Sequence, residues 1–345
     1  MSDRYVSHSE LATWRRCNRK WYLTYWEGLR LPVEQVTGIR RIGTRIHLAL
    51  AAHYTPELPY EWRAQAGLKA LDDAQAVDMQ TMTQRIGQVE GDVHLLAYTD
   101  EDVKELKNEF DLERRMMEGY NEWLAETGAD EDIEPISAEE RVTVSAGIGG
   151  RTVYLSGTLD LLIRRVSSGV HLLFDHKTVQ SLKQETLHMN TQLKHYTMLD
   201  RLRGGVTVGA LFNMLRKVKR TASAKPPFYG REEVRFNPDD LRSYWYAVDG
   251  TLRQIFRAED DLTRGWDHRT VTPPNVNDTC TWQCDFFDMC HMMDDGSRWR
   301  DLVQRTHVRV DARHTYRDSV SIPGRTGDLD DGHAGPAGAR ARQGG

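Results

Sequence analysis

Cysteine is scarce in this chain, which has only four among 345 residues, and no apolar run is long enough to span a bilayer. The first residues, Met1 to Tyr5, are mostly polar and do not resemble a secretory signal peptide. We therefore expect a cytoplasmic protein with no membrane partner. Because thiols stay reduced there, the cysteines are expected to bind a metal rather than to form disulfides.

A phosphate-binding loop of the form G-x-x-x-x-G-K-[ST] is also absent, so we do not expect a helicase. Positive charge is not in excess either, because the net charge is -5. This balance argues against a uniformly basic coat for nucleic acid, but an enzyme that cuts nucleic acid needs only a local basic groove. Local basic clusters occur, although each alone is typical of a solvated surface. They are Arg15, Arg16, Arg19 and Lys20; Arg40, Arg41 and Arg45; and Arg216, Lys217, Lys219 and Arg220.

The character of the sequence changes near residue 135. Before it, helical patterns dominate, including one helix from Ser7 to Gly28 and another over Arg40 to Tyr54. After it, strand patterns alternate with turns and helices. We expect four parts, which are a helical region (1–135), a core (136–260), a cysteine-bearing segment (261–314) and a disordered tail (315–345). Strands are predicted at 138–145, 152–165, 170–176, 206–215 and 232–236, and helices at 186–203 and 238–258.

The four cysteines are placed at opposite ends of the chain. Cys17 is alone, whereas Cys280, Cys284 and Cys290 form a C-x3-C-x5-C cluster. This placement indicates a single four-thiolate site, which suits a [4Fe–4S] cluster or a structural zinc ion. Buried free cysteines are the alternative, but the residues between the three are too polar for an ordinary core.

Two predicted strands carry an acid pair and a lysine. Asp160 follows Gly157-Thr158-Leu159, and Asp175 and Lys177 lie two positions apart, so that both point to one face of their strand. Two carboxylates suit a hard divalent cation, and a lysine beside them suits metal-assisted hydrolysis of a phosphate ester. Charges at a solvated sheet edge are the alternative interpretation.

Further residues could join this site. Gln192 and Tyr196 are four positions apart on the next predicted helix and therefore share a face. His47, on the helix over Arg40 to Tyr54, could add a ring nitrogen to the metal shell, although a lone histidine is more often packed or solvated. Glu139 or Glu140 could add a ligand, but exposed strand charges are the favoured interpretation for both.

Taken in order, these motifs resemble the RecB-type branch of the PD-(D/E)XK nucleases in its iron–sulfur form, which includes CRISPR-associated, AddB-type and phage exonucleases. The resemblance covers the chain from end to end except for the helical insert and the tail. Two departures are the extra residue in the first cysteine gap and Asp175 in place of the usual Glu. The matching stretches are Leu11 to Tyr25, Gly43 to His47, Gly157 to Asp160, Phe174 to Thr178, Gln192 to Tyr196 and Cys280 to Cys290.

The resemblance implies an α/β fold with a restriction-endonuclease-like core, that is, a mixed sheet flanked by helices, with an N-terminal helical region and a C-terminal iron–sulfur segment. It implies a metal-dependent exonuclease on single-stranded DNA ends in recombination, repair or replication of a bacterial or phage-infected cell. One alternative is a nuclease or DNA-binding subunit that needs a helicase, recombination or integration partner for activity. The other is a sequence-specific endonuclease. The implied Mg2+ or Mn2+ ligands are His47, Asp160, Asp175 and the main-chain carbonyl of His176.

The remaining roles follow from the same resemblance. Lys177 is implied as the catalytic lysine, and Gln192 and Tyr196 as residues that position the DNA strand or the metal-bound groups. The implied [4Fe–4S] ligands are Cys17, Cys280, Cys284 and Cys290.

Overall fold

The computed structural model describes residues 4–31, 36–85, 98–221 and 223–310. Its helices in this part of the chain are α1 (His8–Arg16), α2 (Asn18–Trp21), α3 (Ile39–His53), α4 (Tyr60–Arg85), α5 (Asp100–Thr127), α6 (Thr191–Leu202), α7 (Pro238–Thr263), α8 (His268–Val271), α9 (Cys280–Gln283), α10 (Phe287–Cys290) and α11 (Trp299–Thr306). Its strands are β1 (Arg4–Ser7), β2 (Leu29–Arg30), β3 (Ile133–Ile148), β4 (Arg151–Arg165), β5 (His171–Val179), β6 (Gly209–Arg216), β7 (Tyr229–Arg235) and β8 (Val308–Arg309).

A mixed sheet of β1, β3, β4, β5, β6 and β7 forms the centre of the described chain. The long strand β4 pairs antiparallel with β3 along one side. Along its other side, β4 pairs parallel with β1 through Val153–Ser156 and antiparallel with β5 through Leu162–Arg164. Strands β5 and β6 then pair in parallel, and β7 closes this side antiparallel to β6.

Helices cover both faces of this sheet. Helices α1, α6 and α7 bury Leu11, Leu193 and Leu252 in one apolar core. Helices α3 and α5 bury Ile46 and Met117 in a second core on the opposite face. Each helix presents apolar side chains at intervals of three and four residues, which is the pattern that lets a helix pack on a sheet. This structure confirms the expected mixed sheet flanked by helices, which fits a restriction-endonuclease-like core.

The prediction of one long N-terminal helix from Ser7 to Gly28 was wrong. Ser7 does cap α1, since its Oγ accepts a hydrogen bond from the Glu10 amide. The helix ends at Cys17, however, because the backbone there is extended with φ -160°. The Cys17 sulfur then accepts from the Lys20 amide and so caps α2, which continues into a π-helical turn over Tyr22–Trp26.

Both ends of the described chain meet through backbone hydrogen bonds. Strands β2 and β8 pair antiparallel, and the Val310 amide donates to the Gly28 carbonyl. Strand β1, which sequence patterning did not predict, brings a second N-terminal segment into the main sheet. The predicted disordered tail (315–345) lies outside the described residues. Within them, no helix combines the length and the apolar character that crossing a bilayer requires.

Candidate active site

The acid pair lies where strands β4 and β5 run side by side. The backbone amide of His176, which directly follows Asp175, donates a hydrogen bond of 3.1 Å to Oδ2 of Asp160. The Asp175 side chain is buried, at 3% exposure. The two carboxylates are close enough that Asp160 contributes to raising the pKa of Asp175. The structure therefore places both acids at one point of the sheet.

Lys177 contacts Asp175 directly. Its Nζ donates to Oδ1 at 2.9 Å and lies 2.8 Å from Oδ2. Burial raises the pKa of Asp175 to about 6, with Lys177 opposing and Asp160 reinforcing the rise. Burial alone would lower the pKa of Lys177, but attraction to Asp175 and Asp160 outweighs it and raises the pKa. Lys177 therefore remains positively charged and sits against the acid pair.

Helix α3 lies on the face of the sheet that carries the second apolar core. It brings His47 to the same place. The His47 Nδ1 lies 3.5 Å from Oδ2 of Asp160. Burial lowers the pKa of His47, while Asp160 and a hydrogen bond with the His176 main chain oppose the fall. The imidazole is thus neutral near pH 7, which is the form that binds a metal ion.

Glu139 joins His47 and Asp160 in the structure. In the described residues, these three side chains form a possible metal-binding group, because one ligand atom of each lies within 4.8 Å of the other two. The Glu139 side chain is exposed, as the favoured sequence interpretation expected, but its carboxylate is also turned to the site. Partial desolvation of the carboxyl group and the nearby Asp160 raise the pKa of Glu139 to about 7.

Gln192 and Tyr196 lie on α6 beside this group. The Gln192 Nε2 donates to the Tyr196 hydroxyl at 3.3 Å. Asp160, Asp175 and Lys177 are all close enough to influence the pKa of Tyr196, which burial raises. The Tyr196 ring packs on Gly157, where an added Cβ would lie 2.7 Å from the ring. Glycine in the Gly157-Thr158-Leu159-Asp160 motif therefore leaves room for this tyrosine.

His8 is a nearby residue that sequence reasoning missed. Its Nε2 lies 3.1 Å from the Thr191 hydroxyl at the start of α6. Burial lowers the pKa of His8 to about 4, with Arg15 and Lys177 adding to the effect. The ring centroids of His8 and Tyr196 are 6.5 Å apart. Only the pairing of β1 with β4 brings His8 here, so that local patterning gave no signal for it.

The donor set fits a hard divalent cation. Asp160 and Glu139 offer carboxylate oxygens, and His47 offers a ring nitrogen. Mg2+ and Mn2+ bind oxygen ligands, and Mn2+ also accepts imidazole. Asp175 lies beside this set with both oxygens at Lys177.

The four cysteines are brought together at a second place. Cys17, Cys280, Cys284 and Cys290 all line one cavity of about 480 Å³ between α1, α2 and the C-terminal segment. Backbone amides donate to two of the sulfurs, since Asn275 N lies 3.4 Å from Cys17 Sγ and Asn277 N lies 3.4 Å from Cys280 Sγ. The expected link between the two ends of the chain is thus present as a shared cavity.

The sulfurs are spaced more widely than a zinc ion requires. In the described residues, the cysteine sulfurs do not form a group of three within 4.8 Å of one another. Tetrahedral zinc with bonds of about 2.3 Å holds its sulfurs only about 3.8 Å apart. An iron–sulfur cluster holds its thiolates farther apart, because several iron and sulfide atoms lie between them.

Comparison with known proteins agrees with this geometry. The family model of the PD-(D/E)XK nuclease superfamily matches residues 5–291. The chain belongs to this superfamily. Its members are typically metal-dependent nucleases, so that membership indicates a nuclease that uses a divalent metal and acts on DNA. The match spans most of β1, all of α3 and all the acidic residues described above.

Other comparisons add little to the superfamily assignment. No curated protein matches the chain. A solved structure entitled "Crystal structure of SSO0001" is 13% identical, with 85% of this chain and 88% of that chain covered and a TM-score of 0.32. At that TM-score, the similarity is too low to support a conclusion about the fold or function of this PD-(D/E)XK protein.

In two of the three basic clusters, basic side chains form hydrogen bonds or ion pairs within the protein. In the first, the Arg15 Nε donates to the Thr251 hydroxyl at 2.9 Å and the Lys20 Nζ donates to the Gln283 carbonyl at 2.9 Å. In the second, Arg45 is fully buried and pairs with carboxylates of α4 and α5. Arg15, Lys20 and Arg45 are therefore engaged within the protein.

The third basic cluster begins at the end of β6, the strand that pairs with β5. The Lys217 amide donates to the carbonyl of Val179, two residues beyond Lys177, at 2.8 Å. Lys219 and Arg220 follow in the same loop and form partly exposed ion pairs with Asp111 and Glu122. Exposed pairs of this kind are weak, so a phosphate backbone can compete for these cations.

Proposed function

We propose that this protein is a RecB-like, iron–sulfur PD-(D/E)XK exonuclease that degrades single-stranded DNA from its ends. The observation that carries the proposal is the convergence of His47, Asp160, Asp175 and Lys177 from three elements on one point of the sheet. The preference for single strands and for ends rests on the resemblance of the six motif stretches to that branch.

The acids and His47 would hold Mg2+ or Mn2+, with the His176 carbonyl as a further ligand. A divalent ion in this position lowers the pKa of a bound water and stabilises negative charge on the phosphate. Asp160 is fixed for this task by the His176 amide, and Asp175 is fixed by Lys177.

Lys177 would act as the catalytic lysine. Because its ammonium remains charged, it can orient a nucleophile and offset charge that develops on the phosphate oxygens. Gln192 and Tyr196 would position the strand, since their hydrogen-bonded pair lies at the side of the acid group. The basic loop that begins at Arg216 would bind the DNA backbone near the scissile bond.

The cysteine cavity would hold a [4Fe–4S] cluster. Four sulfurs line it, and two of them accept backbone hydrogen bonds, which supports a shared thiolate site. Because it lies between helices from the two chain ends, its role in this proposal is structural.

The activity is tested with the isolated chain, Mn2+ and single-stranded DNA that is labelled separately at each end. The proposal predicts that label at one or both ends is released as short products while circular single-stranded DNA stays intact. Cleavage of circles would instead indicate an endonuclease. If the chain cuts neither substrate alone but does so when a helicase or recombination protein is added, it is a partner-dependent subunit. Inactivity under all of these conditions contradicts the proposal.

A further inference from the structure

Glu139 has a backbone conformation that is unusual for a strand. Its φ is +50°, a left-handed value that non-glycine residues rarely adopt. Ala138 pairs with Leu161 and Glu140 pairs with Leu159, so that Glu139 lies across from Asp160 but outside the ladder of paired residues. This irregularity turns the Glu139 carboxylate towards Asp160 and His47, with which it forms the group within 4.8 Å.

The neighbouring Glu140 shows what an ordinary structural glutamate does here. Its carboxylate accepts a hydrogen bond from the Ser137 hydroxyl at 2.7 Å and pairs with both terminal nitrogens of Arg203. The Glu139 carboxylate, by contrast, has no hydrogen bond or ion pair with the described part of the chain. Two adjacent glutamates therefore differ in that only Glu140 has a cationic partner from the protein.

Among the described residues, the Glu139 carboxylate has no cationic side chain beside it. It faces a second carboxylate, Asp160, and two like charges this close disfavour each other. Ligand atoms bound to one Mg2+ or Mn2+ at about 2.1 Å lie no more than about 4.3 Å apart. Those of Glu139, Asp160 and His47 all lie within 4.8 Å of one another. The third implied acid, Asp175, instead has both oxygens next to Lys177.

We propose that Glu139 is a ligand of the divalent ion, together with His47 and Asp160. This inference rests on the proposed metal-dependent function. It assigns to the ion a side chain from β3, in addition to those from α3 and β4. Asp175 then has two tasks, which are to face the ion and to hold Lys177.

The test measures Mn2+ binding directly, from the loss of the free-ion signal in electron paramagnetic resonance, with no DNA present. The variants are Glu139→Gln, Asp160→Asn and, as the matched control, Glu140→Gln. We expect Glu139→Gln to weaken Mn2+ binding by about tenfold or more, since even residues that only orient a ligand contribute about tenfold. Glu140→Gln is expected to bind Mn2+ within about twofold of the unmodified protein, because this residue pairs with Arg203 instead.

The outcomes separate this inference from the function on which it rests. If the unmodified protein and Asp160→Asn bind Mn2+ equally weakly, the metal site itself is absent and both proposals fail. If Asp160→Asn loses binding but Glu139→Gln matches the unmodified protein, only the role of Glu139 is refuted. A circular dichroism spectrum of each variant checks that folding is unchanged, and Glu139→Ala provides a second variant if Gln itself acts as a ligand.

Discussion

The acidic site and the cysteine cavity are built in opposite ways. At the acidic site, charged groups are held by each other, with Lys177 against Asp175 and the His176 amide against Asp160. In the cavity, apolar side chains such as Leu23 and Phe286 and basic ones such as Arg16 and Lys20 together enclose four sulfurs that come from segments more than 250 residues apart. The first arrangement suits chemistry on a charged substrate, and the second suits a structural group that joins two chain ends. Substitutions should therefore separate activity from stability.

The largest expected effect is on catalysis at the acidic site. Asp175→Asn and Lys177→Ala should each lower the rate of DNA cleavage by about a thousandfold or more, because each removes a charge next to the reacting phosphate. Both variants should keep their fold and any colour from the cysteine cavity. Glu134→Gln, which breaks only an exposed ion pair with Arg164 on the same sheet, is the control and should cleave normally. Near-normal cleavage by both acidic-site variants would remove the active site from this position.

The next largest effect is on stability at the cysteine cavity. Protein purified without oxygen should be brown, and Cys284→Ala should bleach it and lower Tm by roughly 10 °C, because binding of the group contributes to folding. The matched control is Gln283→Ala, which changes a lining residue that carries no sulfur. Colourless protein with one zinc ion per chain would contradict the iron–sulfur assignment.

A change of pH is expected to have a moderate effect on Mn2+ affinity at the acidic site. The pKa values of Asp175 and Glu139 are raised to about 6 and about 7, so both carboxyl groups are largely protonated at pH 5.5. A divalent ion binds the ionised carboxylates and must displace these protons. Mn2+ affinity should therefore rise at least about tenfold from pH 5.5 to 7.5 and then level off. A titration at each pH checks this, and a flat profile would contradict it.

The smallest effect should come from the pair on α6. Tyr196→Phe removes a single hydrogen bond of 3.3 Å to Gln192 and no metal ligand. We expect a loss of about tenfold or less in cleavage rate, with Mn2+ affinity unchanged. If Tyr196→Phe weakened Mn2+ binding as strongly as Asp160→Asn, the tyrosine would belong to the metal shell.

Local periodicity explains the features that could be predicted from sequence. Asp175 and Lys177 meet because residues two apart in a strand share a face, and Gln192 meets Tyr196 because residues four apart in a helix do. The shared cysteine cavity could be predicted from the number and spacing of the cysteines. Cys17 and the cluster of three account for all four of them. Strands β3 to β7 and helices α3 and α7 were found with boundary errors of a few residues at most ends.

Features that depend on distant pairing could not be read in this way. Strand β1 has four residues and forms only because β4 offers an open edge, and it carries His8 to the site. The left-handed backbone at Glu139 depends on the register between β3 and β4, so the sequence could not separate Glu139 from Glu140. The end of α1 at Cys17 likewise depends on contacts with the C-terminal segment, among them the Asn275 amide.

The most direct test of the account is the rate at which the isolated chain shortens linear single-stranded DNA in the presence of Mn2+, compared with the rate of Asp160→Asn. Asp160 is the side chain that both His47 and the His176 amide approach, so its carboxylate is central to the proposed site. We expect progressive, Mn2+-dependent shortening by the unmodified protein and none by Asp160→Asn. Equal shortening by both proteins would contradict this expectation.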